Sequence, residues 1–372
     1  MDRSVNIGKL GKKQLNWGKV FTLAGAFIAF LIGSGFATGQ EVMQYFSSFG
    51  LLGAFGVIVV FLLFLYVGIE FMIAGYNNKF AKGSDIFYYY CGKRIGKFYD
   101  YFSVAFIYMS YIVMIGGSAA TLNQQYGQPT WVGGVMMGIL AGGTVIFGLG
   151  KIVDVIGKIG PTIVVLTVIL GIFAIAMNPS GVANANEIIP QLDLLKASSN
   201  WFFSAVSYVG FCMLWLAGFM SQLGASSDNK NESILGTIIG AAGFSLALLI
   251  ITLGIMANIE ELSGSMVPNL VLANKVHPVL GTIFSLIVVA GIYTTAVPLL
   301  WQAVARFSED KTPKFRILTV VFAAAGVFVG LLVPFDKLVN IIYVINGYVG
   351  ILLFVFMAYK TIRVRVLKKV EE

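Results

Sequence analysis

The first apolar stretch of this chain, residues 18–47, is long enough to cross a bilayer, yet it is broken at its centre. There the sequence reads Gly33-Ser34-Gly35-Phe36-Ala37-Thr38-Gly39-Gln40-Glu41. Glycine disfavours helix, and a carboxylate in hydrocarbon is costly, so a plain membrane anchor has no use for this segment. Irregular backbone at membrane depth survives only where protein encloses it or where it lines a cavity. The ends of half-helices in such places hold ions and solutes. The break therefore points to transport before any other motif is read.

The composition fits. Hydrophobic residues are 58% of 372 and charged residues 11%, against about 25% charged in a soluble domain. Apolar stretches of spanning length fall at 18–47, 50–76, 98–123, 130–150, 158–178, 201–223, 233–257, 277–305, 315–334 and 338–361. The expected fold is an all-α integral membrane protein of about ten helices, with residues 1–372 forming a single transmembrane domain. The first stretch is too long and too interrupted for a cleavable signal peptide, and no small-residue cleavage site follows it.

The net charge of +8 raises the question of nucleic acid, but its placement answers it. If the N-terminus is cytoplasmic, 22 of the 25 Lys and Arg residues fall on the inner side, and only Lys196, Lys275 and Lys337 fall outside. That bias is the positive-inside rule and predicts that both termini are cytoplasmic. The expected partners are a small-molecule substrate and the lipid bilayer, not nucleic acid; the oligomeric state is left open. Cys91 and Cys212 are assigned to an inner loop and a membrane helix, where they cannot pair. His277 opens a helix at the outer side and reads as a surface or capping residue.

The loop at 179–199 divides the chain into residues 17–178 and 200–363, each with five spans. An odd number of spans sets the halves in opposite orientations, so equal halves suggest an inverted repeat, common among secondary transporters. On that symmetry the first helix of the second half should also be broken, around Tyr208-Val209-Gly210-Phe211-Cys212.

Several residues then become candidates. Thr38-Gly39-Gln40-Glu41 fits a capping box, with Thr38 capping the second half-helix and Glu41 returning to the Thr38 amide. In that reading the free amides at the half-helix start can still hold a substrate carboxylate. Alternatively Glu41 faces the cavity as ligand to a cationic substrate or coupling ion. Glu70, deep in the second span, must be protonated or hydrogen-bonded. It reads as a brace for an unwound sixth helix or as a proton site. Thr294 and Thr295 in the eighth span can offer two hydroxyls to one small cation opposite the first break, or bond back to their own helix. Lys158 opens the fifth span, either as a snorkelling interfacial lysine or as an ammonium standing where a sodium would sit. Gly33, Ser34, Gly35 and Thr38, with Tyr108, Tyr111, Tyr208, Gly210, Phe211 and Trp215, are the candidate substrate wall. No phosphate-binding glycine loop occurs, and no nucleophile–His–carboxylate set is visible, so enzymatic activity and a bound cofactor are not expected.

The GSGFATGQE break, the IEFMIAGYNNKFAKGSDIF passage and the GKIGPTIVV opening of the fifth span resemble the amino acid–polyamine–organocation superfamily, which has the LeuT fold. The whole chain most closely resembles the YkvI-like family of bacterial membrane proteins. The resemblance implies a 5+5 inverted repeat in a bacterial cytoplasmic membrane. It places a central site between helices one, three, six and eight, and Glu70 at the position of a buried brace. It also implies a sodium site formed by backbone near Gly33–Phe36 with Thr294 and Thr295. The external gating arginine of the sodium-coupled neurotransmitter symporters is missing, so their gate and substrate do not carry over. The expected function is cation-coupled symport, by sodium or protons, of an amino acid or related solute. The rival is a nutrient-sensing subunit of the spore-germinant type on the same fold.

Overall fold

The structure, a computed structural model, describes residues 15–147 and 152–363, and for 152–161 the backbone alone. The described residues form helices and no strand. The first span is in three pieces: α1 (Trp17–Phe30), α2 (Ser34–Thr38) and α3 (Gln40–Tyr45). Asn16 opens α1 by accepting the Lys19 amide at 3.2 Å, satisfying one of the orphan amides of a helix start. The chain leaves the helix after Phe30 and is extended at Gly33. Between α2 and α3 stands Gly39 with φ +84°, a left-handed position that a side chain would strain.

The rest of the first half is α4 (Leu51–Asn78), α5 (Asp85–Tyr126), α6 (Thr130–Phe147) and α7 (Ile152–Met177). Within α5 the chain kinks at Gly92, φ +70°, so Cys91 ends a short helical arm rather than lying in a loop. A short α8 (Pro179–Ile188) then turns away from α7 by 83°. The second half is α9 (Trp201–Ala225), α10 (Lys230–Ala257), the short α11 (Ile259–Leu262) and α12 (Pro268–Val276), then α13 (Pro278–Ala305), α14 (Pro313–Leu332) and α15 (Phe335–Thr361). The starts carry ordinary caps: Asn200 accepts the Phe202 amide at 2.8 Å, and Thr312 the Phe315 amide at 3.1 Å. His277 caps α13 through Nδ1, 3.2 Å from the Val279 amide.

Eight of these helices are long and apolar enough to cross a membrane. With α7 and the broken first span they account for the expected crossings. Large side chains such as Phe55, Leu62, Ile169, Leu246, Leu286 and Phe328 point outward, as a lipid-facing belt requires. The packing has two groups. Helices α1, α4, α9 and α10 form one bundle, and α5, α6, α13 and α14 form the other, with α7 and α15 leaning across. The pattern maps onto itself when the halves are exchanged. Contact of α1 with α10 becomes α9 with α4; α7 with α13 becomes α15 with α5; α5 with α14 becomes α13 with α6.

One expectation fails. The helix α9 runs unbroken through Tyr208–Cys212, with no left-handed residue in it. Gly210 serves contact instead: a Cβ there would meet the Gly347 carbonyl of α15. Small residues in membrane helices let backbones approach, and in this helix that use of glycine prevails over unwinding.

Candidate functional site

The break in α1 looks into a cavity of about 680 Å³ between the two bundles. Ala29, Ile32 and Gly33 line it from the first span, Ser103, Ile107 and Met114 from α5, Trp215 and Gln222 from α9, and Thr294, Thr295 and Gln302 from α13. Its mouth lies among Gly83, Ser84, Asp100, Gln302 and Arg306. That face also carries the start of α1, where the Asn16 amide donates to Glu232 Oε1 at 2.9 Å, and the end of α15, where Lys360 Nζ donates to the Tyr89 carbonyl at 2.7 Å. Arg306 and Asp100, the only charged lining residues among the described residues, pair at 3.1 Å, and Tyr88 donates to the same carboxylate oxygen at 3.2 Å.

The opposite side is closed by hydrogen bonds from the far loops onto the first span. Asn269 of α12 donates to the carbonyls of Phe36 and Ala37 at 3.3 and 3.1 Å. Gln44 donates to the Asp336 carbonyl at 2.8 Å and accepts Asn340 at 3.0 Å. Ser204 donates to the Tyr45 carbonyl at 2.8 Å.

Between this seal and the cavity floor sits a buried layer of rings and hydroxyls. Tyr343 stacks on Phe211 at 4.6 Å and meets Trp215 edge-on at 5.9 Å. Trp215 in turn lies flat on Phe106 at 5.0 Å. The Trp215 indole N–H is buried without a hydrogen-bond partner, and the buried hydroxyls of Tyr45 and Ser207, and of Tyr343 and Ser34, have only one another. Buried polar groups are normally fully paired, so this concentration beside a broken helix is the candidate site.

The expected residues separate accordingly. Gly33 and Trp215 line the cavity; Ser34 and Phe211 lie in the buried layer behind them, and Tyr208 packs behind Phe211 at 5.1 Å. Gly35 and Thr38 stand behind the cavity floor: Thr38 Oγ1 donates to the Gly35 carbonyl at 3.1 Å, and Gly35 packs on Glu41. Gly210 serves the α9–α15 contact. Tyr108 and Tyr111 face away, because Tyr108 donates to the Phe322 carbonyl on α14 at 2.9 Å and Tyr111 packs on Gly326. The α5 residues that reach the cavity are Phe87, Asp100, Ser103, Val104, Ile107 and Met114.

Thr294 and Thr295 do face the break, with both hydroxyls bonded back to the Gly291 carbonyl at 2.8 and 3.1 Å. Phe36 is buried against Phe244. Lys158 lies outside the residues whose side chains are described. The capping box forms only in part: Thr38 Oγ1 accepts the Gln40 amide at 3.4 Å, but Glu41 does not return to the Thr38 amide. The α3 helix starts behind Gly39, and Glu41 accepts the Tyr208 hydroxyl at 3.2 Å. Nor does Glu70 brace α9, which has no unwound segment; its carboxylate accepts the Thr361 hydroxyl of α15 at 3.3 Å. Sequence reasoning missed Tyr343, which no spacing marks, and Tyr45, which the i, i+4 relation to Glu41 on α3 would have found. Among the described residues no three His, Cys, Asp or Glu side chains gather into a metal-binding group.

No family model matches the chain. A search of solved structures finds MhsT in complex with L-phenylalanine, with a TM-score of 0.62 at 17% identity, covering 92% of this chain and 89% of that one. A mutant of the Eremococcus coleocola manganese transporter aligns with a TM-score of 0.58 at 12% identity, over 94% and 80% of the two chains. The protein thus has the LeuT-type fold. In sequence it is similar to the uncharacterized membrane protein YkvI of Bacillus subtilis, 23% identical over 354 residues, 90% of this chain and 94% of that protein. YyaD of the same organism is 27% identical over 103 residues, 28% of this chain.

Proposed function

We propose that the protein is a secondary active transporter that carries a small organic solute, an amino acid or a related compound, by alternating access with a coupling cation. The observation that carries this reading is the cavity open on one face and sealed on the other, with the break of α1 and buried polar groups at its closed end. With the charge bias placing the mouth in the cytoplasm, the structure corresponds to an inward-facing state in a bacterial plasma membrane. The wall suits a solute with a polar head at Gly33–Ser34 and an apolar or aromatic body against Trp215 and Phe211. MhsT, a structural neighbour, binds L-phenylalanine, which fits that shape. For sodium coupling the candidate residues are Thr294 and Thr295, which line the cavity together with Gly33.

The test is thermal stability of the purified protein with a panel of amino acids, in sodium and in potassium at equal ionic strength. A ligand at about 100 times its Kd adds roughly 2.7 kcal/mol to the bound state, a readable shift. Stabilisation by one amino acid is the expected result. If it needs sodium and is lost in Thr294→Ala/Thr295→Ala, the threonines hold the coupling ion. Robust uptake by the chain alone in liposomes separates a transporter from a sensor that binds without transporting. No response to any solute, with no uptake, would sink the proposal.

A further inference from the structure

Glu41 is buried, and among the residues whose side chains are described it has no counter-charge. Its residue is 3% exposed, and its carboxylate presses on Gly35 so closely that a Cβ there would overlap it. Oε1 accepts the Tyr208 hydroxyl at 3.2 Å. The titratable groups facing it are Tyr45 on its own helix, Tyr208 and Cys212 on α9, and Tyr343 on α15. None is basic. Among the described residues no Lys, Arg or His forms an ion pair with Glu41.

The other buried acids have different solutions. Asp100 pairs with Arg306, Glu232 accepts a backbone amide, and Glu70 meets Thr361 near the end of α4. An ionised carboxylate without a partner is the arrangement proteins avoid at membrane depth. A carboxylic acid, by contrast, donates as well as accepts. Towards Gly35 there is no room for a sodium ion or an ammonium group, and a proton needs none.

Hydroxyls also stand between Glu41 and the cavity. The Tyr45 hydroxyl lies beside Ser207 and the Tyr343 hydroxyl beside Ser34, and all four residues are buried. A Cβ on Gly33, which lines the cavity, would stand 4.0 Å from the Tyr343 hydroxyl. Hydroxyls that donate and accept can hand a proton along such a line.

We propose that Glu41 is the binding site of the coupling proton, an inference that rests on the transporter reading above. On the far side, a hydronium ion gives a proton to the carboxylate: its O–H bond breaks, leaving water, and an O–H bond forms on Glu41. In the inward-facing state that bond breaks, the proton passes by way of Tyr343 and Ser34 to water in the cavity, and the carboxylate stays behind. The charge is restored when the far side opens and the next proton binds.

The test begins without any solute. Infrared spectroscopy of the protein in lipid, titrated with alkali and repeated in deuterium oxide, reads the carboxylic acid carbonyl band. The expected result is a band that disappears with alkali and is lost in Glu41→Gln, but is retained in Glu41→Asp and in Glu70→Gln. A band unchanged in Glu41→Gln overturns the proposal while leaving the transport reading intact, because that reading stands on uptake. The second arm applies a mixture of the common amino acids to sodium-free liposomes loaded with a pH-sensitive dye. Proton entry with the wild type and its loss in Glu41→Gln support the proposal. Uptake that requires sodium and moves no protons overturns it.

Discussion

A Gly350→Val substitution is expected to cost about 3 kcal/mol or more, the upper range for overpacking a close-fitted interior. It should leave little folded protein after extraction. The reason lies in the crossing of α9 and α15. A Cβ at Gly350 would fall on the carbonyl of Gly210, and one at Gly210 on the carbonyl of Gly347. The obstacle in both cases is backbone, which cannot rotate away as a side chain tip can. Valine would therefore push apart two helices that carry Phe211 and Tyr343, the stacked pair behind the cavity floor. Gly143→Ala on α6 is the control, since a Cβ there meets nothing within 4 Å. It should be neutral or gain up to about 1 kcal/mol in helix propensity. Monodisperse protein remaining after a heating series, measured for both variants, decides the matter. A Gly350→Val protein that survives as well as wild type would show that the helices do not meet on these glycines.

That crossing also explains what the sequence could not disclose. The break near Gly33 was legible because it combined glycines with a carboxylate, two features that are costly together in a lipid-facing helix. The helix boundaries were legible for a simpler reason: apolar runs of spanning length end at caps such as Asn16, Asn200 and Thr312. The suspected break at Gly210 rested on glycine alone. Glycine lets a chain unwind and lets two chains touch, and only the neighbour decides between these uses. For Gly210 the neighbour is Gly347, 137 residues further on, where no local pattern records the contact.

Side-chain direction was lost in the same way. Tyr108 and Tyr111 were chosen as ring-bearing residues of the third span, yet the face of α5 turned to the cavity is that of Ser103, Ile107 and Met114. Which face turns inward depends on where α14 packs, because Phe322 and Gly326 take the two tyrosines. The residue chemistry at Glu41 was half legible. Its burial could be inferred from the span, and its service to the cavity was one of two readings. The capping box was the other, and it forms only in part because Gly39 adopts a left-handed conformation that moves the helix start past Thr38.

Asn269→Ala is expected to shift the protein towards the state in which the far side is open. Asn269 reaches from α12 to the carbonyls of Phe36 and Ala37, on the side of the break remote from the cavity. Opening that side must part α12 from α2, so these two bonds stabilise only the closed arrangement. At about 1 kcal/mol net for each bond, their removal costs that arrangement about 2 kcal/mol, a population change of roughly 30-fold. The shift is visible as accessibility, in a background where Cys91 and Cys212 have been replaced. Ser34→Cys, buried between the seal and the cavity floor, should react faster with a membrane-impermeant thiol reagent added from the far side. Ser103→Cys, on the cavity wall, should react more slowly from the mouth, because opening one side closes the other. The paired readout separates a moved equilibrium from a loosened protein. If Asn269→Ala raises labelling at both positions, the side chain merely holds the fold together, and its role as a latch on the far side is wrong.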